Sequence, residues 1–546
     1  MITVPSYSSG QSQHPLLGET IGERLKNTVA KYPQQDALIC LQQNYRATYT
    51  QFYSQTEEIC KALLALGMKK GDRLGIWSPN RYEWVLLQFA TARIGLILVN
   101  INPAYSAHEL EYVLTQAQIK AVFAPVAHRT SLYKEMLNAA KAKLSSLQHI
   151  VIFEENWESF LESASQIKTG QVLSAEQAVQ FDDPVNIQYT SGTTGFPKGV
   201  TLSHHNILNN GYFIGIRLQY THLDRVCIPV PFYHCFGMVI GNLACVSHSA
   251  CMVIPGEKFD PEETLRAVER EKCTSLYGVP TMFIAELELP NLDSFDLSSL
   301  RTGVMAGSPC PIEVMKKVQS KMNMKEISIC YGMTETSPVS TQTIIGTPIE
   351  KQVSTVGTVQ DHLEIKIIDP NTGDIVPRGV AGELCTRGYS IMLKYWENPE
   401  ATKSVIDETR WLHSGDLATM DLDGYINITG RIKDVIIRGG ENISPKEIED
   451  FLYQHEAITD IQVIGVPSLK YGEEVMAWVK VKDDHKVSID DLKEYCKQIA
   501  HFKRPKYWKF VKEFPMTVSG KVRKIEMKEI SIKELGLEKI RNIKTS

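Results

Sequence analysis

Apolar positions along the chain fall into two alternating kinds of segment. Runs such as DRLGIWSP (72–79), KAVFAPV (120–126), HIVIF (149–153) and ACMVIPG (250–256) are short, apolar and bounded by turn formers, which predicts buried strands. Between them lie stretches such as TQFYSQTEEICKALLALG (50–67), read as helices. The alternation predicts an α/β fold of layered parallel sheets. Two longer apolar stretches, 85–99 and 238–254, are interrupted by Gln88 and Arg93 and by Asn242 and His248. Each is too short or too broken to span a bilayer and predicts buried helix or strand instead.

After about Arg431 the pattern changes to a compact unit of helix, strand and helix. Ser444-Pro445-Lys446-Glu447 has the form of a capping box with proline in the first turn, followed by apolar Ile448, Phe451 and Leu452. EVMAWVKV (474–481) alternates as a strand should, and SIDDLKEYCKQIAHF (488–502) reads as an amphipathic helix. The expected division is a large domain over 1–431 and a small α+β domain over 432–546.

Composition narrows the function classes. A chain of 546 residues exceeds what one hydrophobic core serves. With 43% hydrophobic and 22% charged residues it has ordinary globular composition, and a net charge of −5 offers no footprint for a nucleic acid. Eleven cysteines, spread from Cys40 to Cys496 without a CxxC pair, argue against a disulfide framework or a zinc site and for a reducing compartment. The N-terminus lacks the charged start and apolar run of a signal peptide and the arginines of a transit peptide. Cytoplasm is therefore expected; peripheral membrane contact, and monomer or homodimer, stay open.

Candidate chemistry begins with YTSGTTGFPKG, from Tyr189 to Gly199. Gly192, Gly195 and Gly199 let the backbone come close to an anion; Ser191, Thr193 and Thr194 add hydroxyl donors and Lys198 a mobile cation. Such a loop suits the outer phosphates of a nucleotide. It is not a Walker loop, because Pro197, Lys198 and Gly199 stand where Gly-Lys-Ser/Thr is needed. Farther on come YGMTET (331–336), HSGDL with Asp416, GRIKD with Arg431, and FPMTVSGKVRK (514–524) with Lys521. Taken singly, YGMTET fits a strand end, Gly-Asp a turn, and Lys521 one more solvated lysine among Lys512, Lys524 and Lys528.

Together and in this order, these strings resemble the adenylate-forming superfamily of acyl-CoA synthetases, luciferases and peptide-synthetase adenylation domains. The likeness spans roughly 17–528 and is greatest to medium-chain acyl-CoA synthetases of the acyl-CoA synthetase family member 2 type, through TRGYSIMLKYWENPEATKSV and IKDVIIRGGENISPKEIED. It implies a large domain of layered α/β subdomains with a small barrel-like part, and a mobile C-terminal domain hinged near Lys433. It implies ATP, Mg²⁺ and CoA, with phosphates on Thr190, Ser191, Gly192, Thr193, Thr194 and Lys198. Tyr331 would stack on adenine, Thr334 contact the α-phosphate and Glu335 hold magnesium. Gly307, Ser308, Pro309, Gly332 and Met333 would line the nucleotide, while Asp416 and Arg431 hold ribose. Lys521 would be the catalytic lysine, and Gly439, Gly440 and Glu441 would face the pantetheine of CoA. One departure is Ile437, where many relatives carry a lysine; Arg438 is the available substitute for its phosphate contact.

The chemistry explains why such groups are needed. A carboxylate must attack the α-phosphorus of MgATP, and two unit charges about 4 Å apart repel by roughly 4 kcal/mol at an effective dielectric near 20. Cations and oriented donors offset that repulsion.

For the acid, PVPFYHCFGMVIG places His234 at the family's carboxylate pocket, beside Phe236 and Gly237; His234 thus joins Lys521, Thr334 and Glu335 among the catalytic candidates, although a histidine in an apolar run also fits a core role. The stretch lacks the aspartate that amino-acid-activating relatives offer. Acetate-specific relatives carry tryptophan at the position of Gly332, so glycine implies a longer chain. Met305, Ala306, Gly307, Ser308 and Met333 form a small apolar lining, or core packing. The implied activity converts a medium- or long-chain fatty acid to acyl-adenylate and then acyl-CoA. An aryl-CoA ligase, a fatty-acyl-adenylate ligase serving a carrier protein and a non-catalytic acyl-adenylate-binding regulator are the alternatives.

Overall fold

The apolar run at 85–99 resolves into the helix Tyr82–Arg93 and the strand Ile97–Asn100, and every helix residue after Tyr82 is buried. A helix apolar on all sides belongs in an interior. Its polar interruptions are satisfied there: Gln88 donates to Met238 O at 3.1 Å and accepts from Asn242 at 2.9 Å, and Arg93 pairs with Glu176 at 2.6 Å. The second run, 238–254, forms most of the π-helix Phe236–Leu243, the helix Ala244–His248 and the strand Cys251–Ile254. Asn242 and Gln88, which interrupt the two runs in sequence, are thus each other's partners.

This computed structural model describes residues 4–190, 197–307, 310–439, 441–482, 485–516 and 522–540. They separate into two compact units, one of Ser8–Ile365 with Thr386–Leu412, the other of Met1–Tyr7, Lys366–Cys385 and His413–Ser546. Among the described residues, no helix is long and apolar enough to cross a membrane.

Among the described residues, two sheets lie entirely within the larger unit. A seven-stranded sheet runs Lys394–Tyr395, Lys198–Ser203, Pro184–Thr190, Ile97–Asn100, Arg73–Ile76, Ala121–Ala124, His149–Ile152, parallel from its third strand onward. A nine-stranded sheet has a parallel centre that includes the neighbours Ser275–Gly278, Thr302–Ala306 and Glu326–Gly332. The helix predicted at 50–67 is Tyr49–Ala65, with Thr48 and Gln51 closing a reciprocal cap. The strands predicted near 72, 120, 149 and 250 are Arg73–Ile76, Ala121–Ala124, His149–Ile152 and Cys251–Ile254.

In the smaller unit, Leu412–Met420 pairs antiparallel with Ile426–Arg431, in a five-stranded sheet that is the small barrel-like part of the expected fold. A second sheet is built on Ile458–Ser468 and Gly472–Val481. Val475, Ala477 and Val479 face one core with Ile448, Leu452 and Leu492, whereas Met476 and Trp478 face another with Phe514 and Met527. The strand is covered on both faces, the physical meaning of a run buried from Glu474 to Val479.

Two local expectations change. Ser444 precedes the helix Pro445–Leu452 but makes no side-chain cap; its hydroxyl instead donates to Thr429 O at 2.6 Å. That bond ties the strand ending at Arg431 to the following helix. The helix read over 488–502 is α-helical only for Ile489–Tyr495 and ends in tighter turns at Cys496–Gln498 and His501–Lys503.

Candidate active site

Ligands of parallel α/β sheets gather beyond the carboxyl ends of the strands. In the seven-stranded sheet that position belongs to Thr190, which pairs with Lys198 across the hairpin. Ser191, Gly192, Thr193 and Thr194 lie outside the described residues. The Lys198 ammonium sits 5.1 Å from the centroid of the Tyr395 ring. Tyr395 belongs to the edge strand Lys394–Tyr395, which pairs with the strand that Lys198 begins, through Tyr395 opposite Val200.

In the nine-stranded sheet the same edge carries Gly307 and Tyr331, beyond the paired residues Ala306 and Cys330. Gly307 has φ +95°, which favours glycine; Ser308 and Pro309 lie outside the described residues. The strand bulges between Tyr331 and Gly332, and a short 3₁₀ turn, Thr334–Thr336, follows Met333. Thr334 is buried and Glu335 half-buried. The Tyr395 hydroxyl donates to Glu335 Oε1 at 2.8 Å, while Met392 N donates to the Glu335 carbonyl at 2.9 Å. One tyrosine therefore touches both the loop lysine and the turn carboxylate, and links the two sheets at their carboxyl edges.

A carboxylate with room for a further ligand suits Mg²⁺, which takes one or two carboxylates together with phosphate oxygens. Among the described residues the Glu335 side chain accepts only the Tyr395 bond, so oxygen lone pairs remain for a cation.

The acyl candidates divide. Phe236, Met333 and Ala306 share the largest core cluster, and Phe236 lies 5.8 Å from Tyr277, ring to ring. Gly237 lies in the first turn of the π-helix, where its amide and that of Met238 both donate to the His234 carbonyl at 3.1 Å. A Cβ at Gly237 would come within 2.5 Å of Pro231 O, so only glycine permits that approach. His234 itself is half-buried. The next residue, Cys235, has its thiol pushed up by burial and, to a lesser degree, by the charge of Glu335. Met305 is separated from this group: fully buried, it packs on the opposite face of its strand with Phe283, Met315 and Val318. Strand alternation makes Met305 and Ala306 unable to line one cavity with their side chains. Gly332 answers to a demand other than chain length. A Cβ there would stand 1.8 Å from Pro338 O, so the bulge itself requires glycine.

In the smaller unit, Asp416 and Arg431 are cross-strand partners joined at 2.7 Å, the carboxylate buried and the guanidinium half-exposed. A support lies behind them. Glu383 accepts from Gly415 N at 3.1 Å through one oxygen and meets His413 Nδ1 at 2.9 Å through the other. Cys385 Sγ stands 3.6 Å from the same nitrogen, and Cys385 and Glu383 together raise the His413 imidazole to about 10. The side-chain heteroatoms of Glu383, Cys385 and His413 lie within 4.8 Å of one another, and the bonds of Glu383 to Gly415 and His413 fix the segment carrying Asp416. Lys433 is exposed within the turn Ile432–Asp434. Gly439, at φ +61°, forms the hairpin turn between Ile436–Arg438 and Glu441–Ile443, where Arg438 pairs with Glu441. Arg438 is not available as a substitute phosphate ligand: its Nε is bonded at 2.6 Å to the buried Glu474, and its guanidinium lies on the Tyr471 ring. Gly440 and Lys521 lie outside the described residues.

Two groups escaped sequence reading. Tyr395 stands in TRGYSIMLKYWENPEATKSV, a string that carries the family likeness without giving this tyrosine a role; its role depends on a strand pairing across almost two hundred residues. Glu383 is thirty positions from His413 and carries no local motif; His413 opens the HSGDL string, but only the fold brings the two together.

The family described as AMP-binding enzyme matches residues 25–396, and its C-terminal domain matches 447–521. Acyl-CoA synthetase YngI of Bacillus subtilis is 47% identical, over 96% of this chain and 99% of that protein. The mitochondrial medium-chain acyl-CoA ligase ACSF2 of Danio rerio is 45% identical, over 97% of this chain and 91% of its own. Among solved structures, ATP-bound MatB from Rhodopseudomonas palustris superposes with a TM-score of 0.85 at 27% identity, over 95% of this chain and all of that one.

Proposed function

The chain belongs to the family of AMP-binding enzymes, and from that premise we propose that it activates a medium- or long-chain fatty acid with ATP and transfers the acyl group to CoA. In the first half-reaction a carboxylate oxygen attacks the α-phosphorus and pyrophosphate leaves. In the second the CoA thiol attacks the acyl carbon and AMP leaves. The observation that carries this reading is the convergence of Lys198 and Glu335 on Tyr395, beside the carboxyl ends of strands from two sheets.

In this reading Lys198 and the amides of the adjoining loop hold the outer phosphates, Tyr331 stacks on adenine and Thr334 donates to the α-phosphate. Mg²⁺ on Glu335 supplies neutralising charge to the phosphate oxygens. Asp416 and Arg431 bind the ribose hydroxyls, with Glu383 and His413 holding the Asp416 segment in place. Lys521 adds a positive charge at the reacting centre during adenylation, and Gly439, Gly440 and Glu441 accompany the pantetheine in the second step. Lys433 is the hinge residue around which these assignments exchange. His234, Phe236, Gly237 and Ala306 are assigned to the acyl group; Met305 is assigned to the core. All eleven cysteines lie outside disulfides and ten of them are buried, which suits a reducing cytoplasm.

The test is AMP formation with straight-chain acids of increasing length, with and without CoA. A rate that peaks at medium or long chains and rises with CoA is expected. Turnover confined to aromatic acids would replace this reading with the aryl-CoA one.

A further inference from the structure

We propose that Tyr395 is a positioning residue for the activation step, holding the Glu335 carboxylate by its hydroxyl and the Lys198 ammonium on its ring face. The proposal rests on the reading of Glu335 as the carboxylate that holds magnesium. Tyr395 is fixed from several directions. It is 5% exposed, its backbone pairs with Val200, and its amide donates to Thr402 Oγ1 at 3.0 Å. Its neighbour Trp396 donates through its amide to Gly199 O at 2.6 Å. A buried ring with a donor at its tip and a cation on its face can satisfy two unlike partners at once.

The two partners sit in different sheets. Lys198 opens a strand of the seven-stranded sheet, and Glu335 follows the last parallel strand of the nine-stranded one. Nothing in the local sequence of either turn fixes the distance from ammonium to carboxylate; Tyr395, touching both, does. A carboxylate anchored through one oxygen presents the other in a fixed direction, and removing such an anchor typically costs about ten- to a hundredfold in metal affinity.

Tyr395→Phe removes the anchor and keeps the ring. The expected result is a Mn²⁺ dissociation constant raised about tenfold or more, read by electron paramagnetic resonance on the full chain with a non-reactive ATP analogue present. The Mg²⁺ requirement of pyrophosphate exchange should rise in parallel. Melting temperature and thioester formation from preformed acyl-adenylate should be unchanged. Tyr395→Leu, which also removes the ring, should raise the KM for ATP in addition. Glu335→Gln is the control. If it weakens Mn²⁺ binding while Tyr395→Phe does not, the positioning role is overturned and the magnesium assignment stands. If neither variant alters Mn²⁺ binding, the assignment of Glu335 falls and takes the proposal with it. Equal loss in both half-reactions would reduce Tyr395 to a structural residue.

Discussion

Glu286 is the residue whose surroundings and chemistry disagree most. It is 1% exposed in the helix Pro280–Leu287, and neither carboxyl oxygen has a partner among the described residues. An isolated buried carboxylate is far costlier than a neutral acid, and burial pushes its pKa well up. Below the ordinary carboxylate range, about 4.3, both folded and unfolded forms are protonated. As pH rises above it, only the unfolded form ionises freely, so stability falls until the folded pKa is reached. Glu286→Gln removes that slope, which is about 1.4 kcal/mol per pH unit at full effect. Melting curves between about pH 5 and pH 8 should favour the variant increasingly; a constant difference across that range would mean the carboxyl is hydrated. None of this is legible locally, since IAELELP gives no sign that its first glutamate faces a core.

Among the elements, the strand Glu326–Gly332 and the turn after it are the most sensitive to a small change. The bulge at Gly332 brings a prospective Cβ to 1.8 Å from Pro338 O and 3.0 Å from Ser340 N, both backbone atoms. Gly332→Ala must therefore move the segment that carries Tyr331, Thr334 and Glu335. Overpacking of this kind costs typically about 1–3 kcal/mol. A lowered melting temperature together with loss of pyrophosphate exchange is expected, whereas Gly18→Ala, with open space around it, should change neither. Elements of strong periodicity were readable: the helix Tyr49–Ala65 and the strands after 72, 120, 149 and 250 lie where the apolar pattern put them. Ends and caps were not. Ser444 has the right neighbours for a cap, yet its hydroxyl goes to Thr429 O, because a carbonyl on a neighbouring strand competes with the helix amides.

At the scale of the whole molecule the proposed reaction assigns its two steps to different residues. Lys198, Glu335 and Tyr395 belong to the larger unit, and Asp416, Arg431 and Lys433 to the smaller one. If Lys521 acts only in adenylation, Lys521→Ala should lower pyrophosphate exchange on the order of a hundredfold or more and leave thioester formation from preformed acyl-adenylate near the parent rate. Single-turnover measurements of the two half-reactions decide this, and equal loss in both would remove the assignment.

By itself, the chain determined its family and its layered α/β class. Both depend on short-range information: strings of residues in a set order, and apolar spacing repeated within each element. Only the tertiary structure decided that Tyr395 joins Lys198 to Glu335, that Arg438 is spent on Glu474, and that Met305 turns away from Ala306. Those outcomes follow from strand pairing, strand alternation and competition for buried hydrogen bonds between residues far apart in sequence, which no local pattern encodes.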